Sequence, residues 1–187
     1  SAYSGIPGLV DAHTHFLFQT DGAPGTVAWQ RAGWLLQHRP EALSALAREA
    51  AARTVQVGVT TAIDKGAGTA SALVTTLRDG IAAGTFVGPR LHVAASGIGG
   101  PTREDIRAKV REEVARGADL IKIWADGCSD HTLECTPTLD LDQLIAAVDE
   151  AHALGRPIAI HAYHADTARL AIEAGPDSIE HPEGLDA

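Results

Sequence analysis

The sequence TREDIRAKVREEVARGADLIKIW (residues 102–124) contains one helix and the strand that follows it. Residues 102–105 resemble a capping box with Asp in place of Glu, and apolar residues then recur at helical spacing until Gly117 ends the helix. A short apolar run, Leu120–Trp124, comes next and is typical of a buried strand. This order predicts one helix–strand unit of a parallel α/β sheet.

The same alternation extends along the chain in both directions. Six short apolar runs predict strands at residues 6–12, 57–63, 90–95, 120–124, 157–161 and 177–180. Ala-rich segments of helical period separate them, and glycine follows each closely; these helices are predicted at 40–56, 69–83, between 102 and 117, 141–154 and 165–174. Such repeats build either an open doubly wound sheet or a closed barrel, and no Gly-rich nucleotide fingerprint favours the open sheet.

The length indicates how much of a barrel is present. An eight-fold (β/α)8 barrel usually takes about 250 residues, and this chain has 187. We therefore predict an α/β fold of the TIM-like type with about six βα units, without strands seven and eight. Residues 1–187 are predicted to form one partial barrel domain.

Composition excludes several classes of protein. The chain has 15 Lys and Arg residues against 24 Asp and Glu, a formal charge of −9, which argues against a nucleic acid or an anionic membrane as partner. No apolar stretch approaches the roughly 20 residues of a membrane span, so a soluble, cytoplasmic protein is expected. The two cysteines, Cys128 and Cys135, lack the second pair of a zinc knuckle, and ordinary reduced thiols are predicted.

Histidines at strand ends indicate a metal site. His13 and His15 are one residue apart at the end of an apolar strand, so their side chains point to the same side and can share one ion. His161 and His181 each end a later predicted strand. In a parallel barrel the carboxyl ends of the strands form the face on which active sites are built.

Lys122 is one of three lysines in the chain and lies within an otherwise apolar strand. A buried ammonium is costly without a partner. Three states of Lys122 would avoid an unpaired buried ammonium: a carbamate formed with carbon dioxide, a Schiff base, or an ion pair with Asp119 or Asp126. With the carbamate, the chain would supply five metal ligands, which suits a site for two ions: His13, His15, Lys122, His161 and His181.

These residues resemble the metal-dependent amidohydrolase superfamily, in its prolidase-like and imidazolonepropionase-like branch. The matching sequence motifs run along the whole chain in the order found in the family. They are PGLVDAHTH (7–15), GVTT (58–61), GPR (88–90), GADLIK (117–122), HAYH (161–164) and SIEH (178–181).

The resemblance implies a (β/α)8 barrel, commonly joined to a small β-sandwich, and two divalent metal ions, most often zinc. His13 and His15 would hold the more buried ion, His161 and His181 the more exposed one, and a carboxylated Lys122 would bridge them. A hydroxide between the metals would attack the carbonyl of an amide-type C–N bond. Tyr163 could donate to the oxyanion or pack as an aromatic, and His164 could contact substrate or cap the next helix.

The sequence departs from the family at one position. Family members carry an aspartate at the end of the eighth strand, which binds a metal and moves a proton, and no residue after His181 can supply it. We therefore expect this chain alone to be incomplete as a catalyst.

Two other functions stay open. The same five metal ligands could serve a lactone or phosphotriester hydrolase. Alternatively, a truncated barrel could be a non-catalytic metal-binding module. A small amide-type molecule is the predicted substrate. A second copy of the chain or a complementing chain segment is a candidate protein partner.

Overall fold

The computed structural model describes residues 5–17, 39–128, 135–182 and 185. The chain divides into two compact units, Ser1–Val93 and Ala94–Ala187. Within the described residues, no helix combines the length and hydropathy needed to cross a bilayer.

In residues 5–17 and 39–93, the described part of the first unit, there are three parallel strands and two long helices. The strands β1 (Leu9–Thr14), β2 (Val59–Asp64) and the first half of β3 (Arg90–Ile98) are hydrogen-bonded in chain order. Helices α1 (Pro40–Gln56) and α2 (Ser71–Ala82) lie between them in the chain, with a 3-10 turn at Gly68–Ala70. The core of this unit joins both helices to the strands through buried residues that include Leu43, Ala51, Val74, Leu77, Ala62, Leu91 and Val93.

The second unit continues the same plan. The second half of β3 pairs with β4 (Leu120–Trp124), which pairs with β7 (Ile158–His161), and β7 pairs with β8 (Ser178–Glu180), all in parallel. Helices α3 (Arg103–Ala115), α4 (Leu141–Ala153) and α5 (Ala165–Ala174) lie between strands in the chain. A small antiparallel pair, β5 (Asp126–Cys128) and β6 (Cys135–Pro137), follows β4.

Alternation along the strands of this unit separates two faces. Ile121, Ile123, Ile158 and Ile160 belong to the hydrophobic cluster that includes residues of α3, α4 and α5. Successive side chains of a strand point to opposite faces, so Lys122 and His161 lie on the face opposite this cluster. Because the apolar residues of these strands pack against the helices, Lys122 and His161 are left on the other face of the sheet, where a site can form.

The structure corrects several details of the sequence prediction. Strand β2 spans Val59–Asp64 instead of residues 57–63, and β3 spans Arg90–Ile98 instead of residues 90–95. The first strand spans Leu9–Thr14 instead of residues 6–12, because the amide of Lys65 donates to the carbonyl of Thr14 and extends the pairing into the His13–His15 motif. The β5–β6 pair was not predicted. The prediction of reduced thiols is wrong for Cys135, which is disulfide-bonded; its register partner on β5 is Cys128.

Candidate metal centre

An irregularity at the end of β1 directs both histidines to the same place. The register with β2 shifts between Asp11 and Thr14, and the Asp11 carboxylate accepts a hydrogen bond from the His13 amide at 3.1 Å. Irregularities in strand pairing, β-bulges among them, can redirect side chains next to active sites. Here the Nε2 atoms of His13 and His15 lie 3.2 Å apart.

The chemistry of this pair fits a metal ion. The Nδ1 atom of His15 lies 2.7 Å from the carbonyl oxygen of Gly66; a carbonyl only accepts, so Nδ1 carries the proton and Nε2 of the neutral ring offers a lone pair. Metal-binding histidines usually have their second nitrogen held in this way. Two imidazole nitrogens on one tetrahedral zinc, with bonds of 2.0–2.1 Å, would lie about 3.3 Å apart, close to the observed separation.

Asp64, a residue that the sequence analysis did not select, organises the loops around this pair. Its two carboxylate oxygens accept hydrogen bonds from the amides of Phe16 at 2.7 Å and Gly66 at 2.8 Å. It thereby holds the residue after His15 and the residue whose carbonyl fixes the His15 tautomer. The side chain is fully buried, and burial raises the pKa of Asp64 to about 6, although the two amide hydrogen bonds lower it.

This pKa predicts a dependence of stability on pH. The native state holds the Asp64 proton more tightly than the unfolded chain, so the group's stabilising contribution is complete below about pH 4 and is lost as the pH rises to about 6. A shift of about two units corresponds to about 3 kcal/mol. In urea unfolding, the free energy of unfolding of the wild type relative to Asp64→Asn should fall by about that amount between pH 4 and pH 7. A difference that stays constant over this range would contradict the prediction.

A second group of side chains lies in the second unit. Lys122 is 1 % exposed, and its register partner on β7 is Ala159, two residues before His161. His161 is in turn the register partner of Glu180 on β8. Because in-register residues of neighbouring parallel strands share a face, Lys122, His161 and Glu180 lie on the same face of this sheet.

Three rings cluster at the ends of β7 and β8. The ring centroids of His161 and His181 are 5.0 Å apart. Tyr163 stacks on His181 at 4.9 Å and 17°, and meets His161 edge-on at 4.6 Å. The structure therefore brings the two predicted ligands of the second ion together, with the predicted oxyanion donor against both.

The backbone of His181 is strained. Its φ is 61°, and it is the one non-glycine residue with positive φ in the part of the chain that the structure describes. A left-handed conformation costs a side chain with a Cβ about 1–2 kcal/mol. Strain of this kind is concentrated at functional sites, where surrounding contacts maintain it.

A pair of variants measures this strain. His181→Gly and His181→Ala both remove the imidazole, but only glycine adopts positive φ without cost. We expect His181→Gly to be more stable than His181→Ala by about 1 kcal/mol in urea unfolding of the metal-free protein. Equal stabilities would mean that the native backbone at this position is unstrained.

His164 caps helix α5. It is the N-cap residue, and its Nδ1 atom accepts a hydrogen bond from the Asp166 amide at 3.2 Å. Of the two roles considered for His164, the cap is therefore observed, and contact with a substrate stays a prediction.

The four predicted histidine ligands thus form two local pairs, and Lys122 lies on the face that carries His161. Among residues 5–17, 39–128, 135–182 and 185, no group of three or more His, Cys, Asp and Glu side chains is arranged to hold a metal. The assignment of His13, His15, Lys122, His161 and His181 as ligands stays a prediction.

Comparisons with known proteins identify the family. The model of the Amidohydrolase family matches residues 6–187. An uncharacterized protein of Mycobacterium tuberculosis, Rv2915c, is 28% identical over 181 residues, which are 96% of this chain and 45% of that protein. The chain therefore spans about half the length of the curated relatives that it matches.

Two solved structures agree with this result. A Xaa-Pro dipeptidase with bound methionine superposes with a TM-score of 0.76 and 29% identity, over 96% of this chain and 49% of that one. A putative prolidase from Bifidobacterium longum gives a TM-score of 0.71 and 28% identity, over 96% and 41% of the two chains. The predicted fold class, about six βα units of a TIM-like barrel, is confirmed, and the chain belongs to the amidohydrolase family.

Proposed function

We propose that the protein hydrolyses an amide-type C–N bond of a small molecule, with two divalent metal ions as cofactors. The observation that carries the proposal is the approach of the His13 and His15 Nε2 atoms to 3.2 Å, with the tautomer of His15 fixed by the Gly66 carbonyl. Membership of the amidohydrolase family supports it.

The proposed ligands are two histidine pairs and one modified lysine. His13 and His15 hold one ion, and His161 and His181 hold the other. Zinc suits a donor set of imidazoles and oxygen atoms. When bound, the ions lower the pKa of water and polarise the carbonyl of the substrate.

Lys122 is proposed to react with carbon dioxide. The ammonium first loses one proton, and the resulting amine then forms an N–C bond to carbon dioxide and releases a second proton, which leaves a carbamate with one negative charge and two oxygen donors. This conversion replaces a buried cation, which is costly in an apolar strand, by an anion whose oxygen atoms would serve as metal ligands. The complete burial of Lys122 on the face that carries His161 supports this role.

Tyr163 is proposed to stabilise the oxyanion. A hydroxyl donor aimed at developing negative charge typically contributes 10²- to 10³-fold to the rate. The contacts of its ring with His161 and His181 keep Tyr163 beside two proposed ligands.

The names of the two similar structures suggest the substrates to test first. One is a Xaa-Pro dipeptidase and the other a putative prolidase, so we propose dipeptides and N-acyl amino acids, starting with compounds that end in proline.

The experiment is a substrate panel with the zinc-loaded full-length protein. Xaa-Pro dipeptides, other dipeptides and N-acyl amino acids are assayed beside a lactone and a phosphotriester. Turnover of the amides supports the proposal. Efficient turnover of the lactone or phosphotriester alone would assign the same residues to another reaction, and the absence of any turnover would favour a binding module.

A further inference from the structure

Asp126 makes three hydrogen bonds to the segment that follows His161. Its Oδ2 atom accepts from the amides of Tyr163 and His164, the latter at 3.1 Å. Its Oδ1 atom accepts from the hydroxyl of Thr167, a fully buried residue in the first turn of α5. One side chain that comes just after β4 thus holds the connection between β7 and α5.

These hydrogen bonds determine where the Tyr163 backbone lies. Residues 162–164 belong to no strand or helix, so their amides need acceptors from elsewhere. Hydrogen bonds to an ionised carboxylate are roughly twice as strong as those between neutral groups. His164 fixes the next part of the segment by capping α5. The Tyr163 amide is therefore held by Asp126, while its ring lies against His161 and His181.

We propose that Asp126 is a positioning residue for Tyr163. The proposal rests on the proposed function, in which Tyr163 acts on the oxyanion. Asp126 touches neither substrate nor metal; it holds the main chain from which the Tyr163 hydroxyl reaches the reacting carbonyl. A displacement of about 1 Å in such a group can reduce the rate by about 100-fold, so removal of Asp126 lowers kcat by about 10- to 100-fold and leaves KM within about twofold.

The first measurement reads the position of Tyr163 without any activity assay. The chain has two tyrosines, Tyr3 and Tyr163, so ¹⁵N-tyrosine labelling marks two of its amides, and Tyr163→Phe identifies the second. In Asp126→Asn the Tyr163 amide proton should shift upfield and exchange faster with solvent, because its acceptor loses the negative charge. An unchanged Tyr163 amide would overturn the proposal.

A matched variant separates positioning from general stability. Asp140 caps α4 and accepts from the Gln143 amide, so Asp140→Ala removes a helix cap at a cost of about 1 kcal/mol. We expect Asp140→Ala to keep kcat and the Tyr163 amide signal. The kcat of Asp126→Asn should be lower than that of the wild type, while its zinc content should equal that of the wild type. An equal loss of kcat in both variants would overturn the proposal in favour of a purely structural role.

The two measurements also distinguish this proposal from the proposed function. If the wild type hydrolysed no member of the panel, the proposed function would fail. The chemical shift of the Tyr163 amide proton would then be the remaining test of whether Asp126 holds Tyr163. A change in this shift in Asp126→Asn supports the positioning, and an unchanged shift refutes it.

Discussion

Replacing Lys122 with alanine is expected to lower the rate of amide hydrolysis by about 1000-fold or more. The substitution removes the side chain that we propose to join the two ions, and their Lewis-acid contribution is worth several kcal/mol. About 4 kcal/mol corresponds to a factor of 1000. The measurement is kcat/KM of the zinc-loaded variant on the best amide substrate from the panel.

Two controls separate the carbamate from the other possible roles of Lys122. Lys122→Met keeps most of the buried volume without the amine, so it should fold with unchanged or greater stability and still be inactive. A carbamate also predicts a ¹³C NMR signal after equilibration with ¹³C-bicarbonate, absent in Lys122→Ala and retained in Lys109→Ala, a variant of an exposed lysine. Wild-type activity in Lys122→Ala would refute the proposed role, and activity without the ¹³C signal would favour a Schiff base or an ion pair.

Replacing His15 with alanine is expected to remove one metal ion per chain and to abolish activity. Disturbing only the groups that orient a ligand costs 10- to 100-fold in metal affinity, so we expect at least about 100-fold from loss of the ligand itself. The measurement is the zinc content of the natively purified variant, together with a competitive zinc titration.

The matched control for this variant is His92→Ala. His92 is an exposed histidine on β3 of the same unit, outside the motif of His13 and His15. The His92→Ala variant should retain the wild-type zinc content and activity. Equal metal contents in His15→Ala and the wild type, or the same loss in His92→Ala, would contradict the assignment of His15.

Local signals predicted many of the elements. Residues 120–124 were predicted with the bounds of β4, because five residues from Leu120 to Trp124 form an isolated run after a helix that Gly117 ends. Helix α1 was also predicted at its observed bounds, since Pro40 suits the first turn of a helix. Helix α5 ends where Gly175 adopts φ 73°, as a left-handed C-cap requires.

The sequence was less informative where distant contacts decide the structure. The β5–β6 pair consists of two three-residue strands, too short for an alternating pattern to be recognised. Strand β1 begins at Leu9 rather than Ile6; Ile6 is 81 % exposed although it is apolar. The first paired amide belongs to Leu9, which donates to the carbonyl of Gly58.

In the candidate site, too, local sequence signals were informative and contacts between distant residues were not. Histidines at strand ends can be recognised from residue type and spacing, and the structure brings each pair together. Asp64 was not selected, and Asp126 was considered only as an ion-pair partner of Lys122, because the hydrogen-bond partners of both residues are distant in sequence: Asp64 accepts from an amide 48 residues away, and Asp126 from amides 37 and 38 residues away. An acidic residue at or just after the end of a predicted parallel strand is the signal that could have selected both.

The most direct test of the account is elemental analysis of bound metal in the natively purified wild-type protein. We predict about two equivalents of zinc or a similar divalent ion per chain. A folded protein that contains no such metal, and takes up none on titration with zinc, would contradict the proposed centre of His13, His15, Lys122, His161 and His181.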